Sequence, residues 1–268
     1  MLHPDFTAST ERRRLLLHDP ETPLRLIHTS DVHLESDTFG SGPRGDEYRE
    51  RVRGAFRSVI ELANRSSADL LLIVGDLFDS ARVSPEALNF ALGTIARAQM
   101  PVVMIPGNHD AHDERSIYGG IEPGNLPTNL KLILEPQGQM VEFPALSTRV
   151  WGRALVEHSP EYKPLSGLPC PVKGYWNIGM AHGFHTEDGG TYRSSPITAE
   201  EIADSGYHYI ALGHIHLFGD VSSGATRAFY CGTPAPLYAG SENGFVAEVT
   251  CAPSEPVSVK QLAIGSSV

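Results

Sequence analysis

With 268 residues, 41% of them hydrophobic and 20% charged, the chain has the apolar content of a folded domain and falls outside the disordered class. A formal charge of −11 weighs against a broad basic face for nucleic acid, and apolar runs no longer than "LLLIV" at 70–74 weigh against a membrane-spanning helix. Three widely spaced cysteines, Cys170, Cys231 and Cys251, suit neither a disulfide framework nor a thiolate zinc site, and read as reduced structural residues.

Residues 1–23 lack the apolar core and cleavage site of a signal peptide, so they are expected to form a loosely packed arm on a cytoplasmic protein. No repeat or long linker interrupts the rest, which reads as one domain over 24–264. Short runs rich in Val, Ile and Leu, "LRLI" at 24–27, "LLLIV" at 70–74, "VVMI" at 102–105, "NIGMA" at 177–181 and "YIAL" at 209–212, predict strands buried on both faces. Between the first two, Val52, Ala55, Phe56, Val59, Ile60 and Ala63 form one face of a helix over 51–65. Ser84 then caps a second helix with Pro85 at its first position and Leu88, Ala91, Leu92 and Ile95 facing inward. Thr198 and Glu201 have capping-box spacing and predict a third, short helix ahead of 209–212. In the last third, alternation in "RAFYCG", "GFVAEVT" and "VSVKQLAI" predicts mostly antiparallel strands, and so an α/β domain with mixed sheets.

Each strand-like run is followed at once by side chains that bind metals. In order these are Asp31-Val-His33, Gly75-Asp76-Leu-Phe-Asp79, Gly107-Asn108-His109-Asp110, His182, and Gly213-His214-Ile-His216. The carboxyl ends of neighbouring strands open onto a shared crevice in such sheets, so residues far apart in sequence can converge there. Any one of these pieces alone has an ordinary reading as a turn or a surface pair; the ordered set does not. Aspartates, histidines and an asparagine oxygen without thiolates suit Mn, Fe, Zn or Co. Asp31, His33, Asp76, Asn108, His182, His214 and His216 are too many for one tetrahedral site and match two ions bridged by a carboxylate.

This ordered set resembles the calcineurin-like metallophosphoesterase superfamily. The flanking "IHTSDVHL", "GDLFDS", "SPEAL" at 84–88 and "YCGTPAPL" at 230–237 resemble its SbcD-type DNA repair nuclease branch. The resemblance implies a four-layer αββα fold, two mixed β-sheets sandwiched between helices. It implies two divalent ions, manganese foremost, with Fe, Zn or Co as alternatives. Asp31, His33, Asp76 and His216 would hold the first ion, and Asp76, Asn108, His182 and His214 the second, with a water or hydroxide between them as nucleophile. His109 would sit beside the substrate and protonate the leaving group, with Asp79 orienting its ring. The implied activity is phosphodiester hydrolysis, as an exonuclease or a nucleotidic phosphodiesterase. A small-molecule phosphomonoesterase or cyclic-nucleotide phosphodiesterase is the alternative, and a non-catalytic binding protein the third reading.

Around this set, Asp110 is expected to brace its turn and His28 to be a packed residue. Loops 111–129, 157–175 and 186–197 are expected to rim the site, with Arg115, Tyr118, His185, Tyr192 and Arg193 as substrate contacts. His3, His18, His158 and His208 read as background. The chain departs from the branch in two places. The usual "DWHLG" reads Asp31-Val-His-Leu-Glu35, and residues 217–268 are expected only to complete the core sheets, with no separate C-terminal cap. The partners expected are therefore a phosphodiester substrate, nucleic acid among the candidates, and a second copy in a homodimer. A coiled-coil ATPase partner and a membrane are not expected.

Overall fold

The computed structural model describes residues 20–187, 194–236 and 244–265; Tyr192, Arg193 and nearly all of the N-terminal arm lie outside the described residues. Its first half alternates β1 (Leu24–Thr29), α1 (Pro43–Arg65), β2 (Leu70–Val74), α2 (Pro85–Ile95), β3 (Val102–Ile105) and β4 (Leu130–Leu132). The middle contains β5 (Gln139–Phe143), β6 (Thr148–Gly152), β7 (Trp176–His182), β8 (Phe184–Thr186) and β9 (Pro196–Thr198). There follow α3 (Ala199–Ser205), β10 (Tyr209–Gly213), β11 (Phe218–Asp220), β12 (Arg227–Cys231), β13 (Gly244–Cys251) and β14 (Ser258–Ile264). One sheet has the order β14-β13-β1-β2-β3-β4 and the other β11-β12-β10-β7-β6-β5.

The alternation of side chains along each central strand builds the layers. Ile27, Leu71, Ile73, Val102 and Met104 pack outward against Val52, Phe56, Val59 and Ile60 of α1 and Ala91 and Ile95 of α2. Leu26, Leu70, Leu72 and Val103 point the other way and meet Trp176, Ile178, Met180, Tyr209 and Ala211 between the sheets. The far side of the second sheet is covered more thinly, by Ile202 of α3 and by Tyr207 and Leu165 from loops. Two mixed sheets between helices are thus present, and the fourth layer is a single helix of seven residues with loop cover.

The caps are where the sequence places them: Ser84 accepts from Ala87 N at 3.1 Å, and Thr198 and Glu201 close a capping box. Helix α1 begins at Pro43, earlier than its apolar stripe, because its first turns are charged and are held by contacts such as Arg49–Asp46. The last third is mostly antiparallel, as its alternation predicts: β13 pairs antiparallel with β1 and β14, and β12 with β11, while β12 also runs parallel to β10, because β11 turns back outside it and lets the chain re-enter in the original direction. Among the described residues no helix is long and apolar enough to cross a membrane.

His28, on β1, is enclosed between the sheets with Nδ1 2.8 Å from the Tyr209 hydroxyl. Burial pushes its imidazole down from 6.5 to about 3, against a smaller lift from the Leu212 carbonyl. The unfolded chain therefore takes up a proton below pH 6.5 that the folded chain refuses. The stabilisation is complete above that pH and is lost as pH falls toward 3, at about 1.4 kcal/mol per pH unit. Urea denaturation at pH 7, 6 and 5 is expected to show a shallower loss of stability toward low pH in His28→Gln than in the wild type. Equal slopes in the two proteins would refute the assignment.

Candidate metal centre

The side chains singled out after β1, β2, β3, β7 and β10 all come together at the carboxyl ends of these strands. The loops after β1 and β2 are joined by backbone bonds, Asp31 N to Gly75 O at 3.1 Å, His33 N to Asp76 O at 3.0 Å and Leu34 N to Leu77 O at 2.9 Å. Two glycines make room for the ligands. A Cβ on Gly75 would lie 2.2 Å from His182 Nδ1, and one on Gly107 would lie 2.2 Å from Asp76 Oδ1. Asp31, His33, Asp76 and His214 themselves sit at positive φ, of 53°, 55°, 52° and 99°. This is backbone that L-residues avoid and that functional sites retain.

Two donor groups result. Asp31, His33 and His216 bring ligand atoms within 4.8 Å of one another, with His33 Nε2 and His216 Nε2 3.1 Å apart. On the other side, Asn108 Oδ1 lies 3.0 Å from His182 Nε2 and 2.8 Å from His214 Nδ1. Asp76 stands between them, its Oδ2 3.4 Å from His182 Nε2 and 3.9 Å from His33 Nε2. Neighbours set the ring orientations. His182 Nδ1 donates to Val74 O at 2.9 Å, and Asp79 Oδ1 lies 3.0 Å from His33 Nδ1, so in both rings Nε2 faces inward.

Electrostatics support a cation here. Burial pushes the Asp76 carboxyl up, but His182, followed by His33 and His109, outweighs it and holds the group below the usual carboxylate range. Burial pushes His182 down, yet Asp76 and then Asp31 lift it to about 9. His214 is pushed down to about 4 by burial and then by His182. The buried carboxylates thus draw positive charge toward this pocket. The converging oxygen and imidazole lone pairs, with no thiolate among them, fit divalent ions.

Supporting residues come from several segments. Ser30 Oγ donates to Asp31 Oδ2, Thr233 Oγ1 donates to the Asp31 carbonyl at 2.7 Å, and His214 N lies 3.1 Å from each Asp31 oxygen. Asp110 accepts from the backbone of Gly107 at 2.7 Å, Leu77 at 2.9 Å, and Asp76 and Phe78 at 3.2 Å each, tying its own turn to the loop after β2. Asp79 divides its work in a way the motif does not foretell. Its carboxylate is nearer to His33, while His109 Nδ1 meets the Asp79 backbone carbonyl at 2.9 Å and the carboxylate only at 3.7 Å. His109 is exposed at the lip, edge-on to His33 with ring centroids 4.7 Å apart.

The rim residues are dispersed. Tyr118 is buried, its hydroxyl donating to Asp110, which places it beneath the site rather than on the rim. Arg115 is exposed, its backbone N–H on Asp113 at 2.7 Å, and His185 is half-buried with its backbone N–H on the Tyr230 hydroxyl at 2.8 Å. His158, read as background, lies against the site instead, its ring 5.3 Å from that of His214. No motif surrounds it that could have marked it. Thr233 falls within "YCGTPAPL", so its segment is legible though its contact is not.

A sequence profile described as calcineurin-like phosphoesterase matches residues 24–218. The chain belongs to the calcineurin-like phosphoesterase family. By that membership this phosphoesterase is a hydrolase. It is 29% identical over 211 residues to the uncharacterized metallophosphoesterase YhaO of Bacillus subtilis, covering 73% of the chain and 49% of that protein. It is 31% identical over 219 residues to a subunit of the nuclease SbcCD of Staphylococcus epidermidis, covering 72% and 57%. It is 26% identical over 230 residues to the DNA double-strand break repair protein Mre11 of Methanopyrus kandleri, covering 80% and 49%. The phosphoesterase chain spans about half the length of these curated relatives. The crystal structure of TT1561 of Thermus thermophilus shares the fold at 11% identity with a TM-score of 0.57, covering 91% of this chain and all of that one. A dimetal phosphatase from Danio rerio does so at 12% identity with a TM-score of 0.55, covering 93% and 100%.

Proposed function

We propose that this phosphoesterase hydrolyses phosphodiesters at a dinuclear centre, acting on nucleic-acid ends or short nucleotidic diesters. The observation that carries the reading is Asp76, placed between two donor groups, with the exposed His109 imidazole beside them. Asp31, His33, Asp76 and His216 would hold one ion and Asp76, Asn108, His182 and His214 the other, with manganese the preferred metal. When bound, the ions supply an activated water and stabilise charge on the phosphoryl oxygens.

The protein's own groups do the rest. Asp76 Oδ1 accepts from His109 N at 2.8 Å, so the carboxylate that would serve both ions also fixes the backbone of His109. In its imidazolium form His109 donates through Nδ1 to the Asp79 carbonyl and presents Nε2–H to the departing ester oxygen. Transfer of that proton leaves a neutral alcohol and a neutral ring. The Asp79 carboxylate lies 3.7 Å from His109 Nδ1 and braces His33 Nδ1 from 3.0 Å. Similarity to the SbcCD subunit and to Mre11 supports nucleic acid as the substrate class.

The test is a substrate panel on manganese-loaded protein: bis-nitrophenyl phosphate, nitrophenyl phosphate, a cyclic nucleotide, and linear single- and double-stranded DNA. Cleavage of the nitrophenyl diester and of DNA ends is expected. Cleavage of the monoester alone would overturn the diesterase reading.

A further inference from the structure

We propose that His158 contacts the substrate, donating a hydrogen bond to a phosphoryl oxygen on the Asn108–His214 side of the centre; the inference rests on the phosphodiesterase reading above. The two donor groups are matched in one respect. His109 stands edge-on to His33, with planes at 83°, and His158 stands edge-on to His214, with planes at 74°. Each side of the centre therefore has one exposed imidazole outside the ligand set, resting on a ligand imidazole. The His158 side chain is exposed, so its ring can offer an N–H at the lip while resting on His214.

The backbone beneath this exposed side chain is firmly held. His112 N donates to Leu155 O at 2.8 Å, Ser195 N to Ser159 O at 2.8 Å, and the Tyr162 hydroxyl to Ala154 O at 2.7 Å. Arg153 bonds the carbonyls of Pro136 at 2.6 Å and Lys163 at 2.7 Å while stacking on Tyr162. A surface histidine without a role does not call for such anchoring on both sides, whereas a hydrogen-bond donor that must meet a ligand benefits from it, because less ordering remains to be done on binding. The phosphoryl group is the partner that fits: an ester carried to the centre would bring an anionic oxygen to the His214 side, where His158 rests.

The test compares wild type, His158→Ala and His158→Gln as manganese-loaded full chains. It reads steady-state hydrolysis of bis-nitrophenyl phosphate, bound manganese by elemental analysis, and the affinity for inorganic phosphate by calorimetry. His158→Ala is expected to raise KM about 10- to 100-fold, to change kcat by less than about threefold, and to weaken phosphate binding by a factor similar to that in KM. Manganese content should equal that of the wild type, and His158→Gln, which keeps an N–H donor, should recover part of the loss. Unchanged KM and phosphate affinity in His158→Ala would overturn the proposal. So would loss of manganese, which would make His158 a prop for His214. A wild type inactive on diesters whose phosphate binding still weakens in His158→Ala would sink the diesterase reading and keep the contact; inactivity with unaltered phosphate binding would sink both.

Discussion

Asp76→Ala is expected to reduce hydrolysis of bis-nitrophenyl phosphate by more than about a thousandfold and to lower bound metal below two ions per chain. The size of the effect follows from three functions in one carboxylate. Its Oδ2 faces His182 and His33, which belong to different donor groups, so its removal weakens both. Its Oδ1 receives the His109 amide, so the backbone of His109 loses its anchor as well. Its charge is also what raises His182 to about 9; without it the remaining carboxylates hold a cation less well. Elemental analysis of dialysed protein and kcat/KM at saturating manganese measure the two effects. Full diesterase activity in Asp76→Ala would refute the ligand assignment, and normal metal content with lost activity would confine Asp76 to the chemistry.

Asp110→Asn is expected to lower the unfolding free energy of the metal-free protein by about 2–4 kcal/mol. The buried side chain accepts from the amides of Asp76, Leu77, Phe78 and Gly107 and from the Tyr118 hydroxyl. The amide of asparagine replaces one acceptor oxygen with a group that donates, directed at N–H or O–H groups that donate too. Urea denaturation in chelator measures the loss without a contribution from bound metal. A loss below about 1 kcal/mol would mean that the loops after β2 and β3 hold their shape by packing alone.

The candidate ligand set is legible in the sequence because its signal is local. Each donor follows directly on a buried strand, and strand ends in a parallel sheet converge. The same logic recovers α2 and α3, whose caps are written in adjacent residues. The short strands β4, β8, β9 and β11 have only three residues each and are defined by their partners, so they leave no period to read. Tyr118 reads as a rim residue from the composition of its loop, but a tight turn over Ile117–Gly120 directs it beneath the site to Asp110. The motif puts Asp79 beside His109, which is correct for its backbone; only the three-dimensional arrangement gives its carboxylate to His33. His158 shows the limit most clearly. It lies in a long loop, and its position depends on anchors as distant as Pro136 and Ser195.

The positive φ angles of Asp31, His33, Asp76 and His214 set function against folding. Each such residue holds a conformation that disfavours an L-side chain by roughly 1 kcal/mol or more, and glycine would relieve it. Selection of variants for heat resistance alone, without a demand for turnover, should therefore erode these four positions toward glycine. A heat-hardened descendant of this chain that kept its activity would have to gain its stability elsewhere, in the thinly covered outer face of the second sheet or in the loops away from the strand ends.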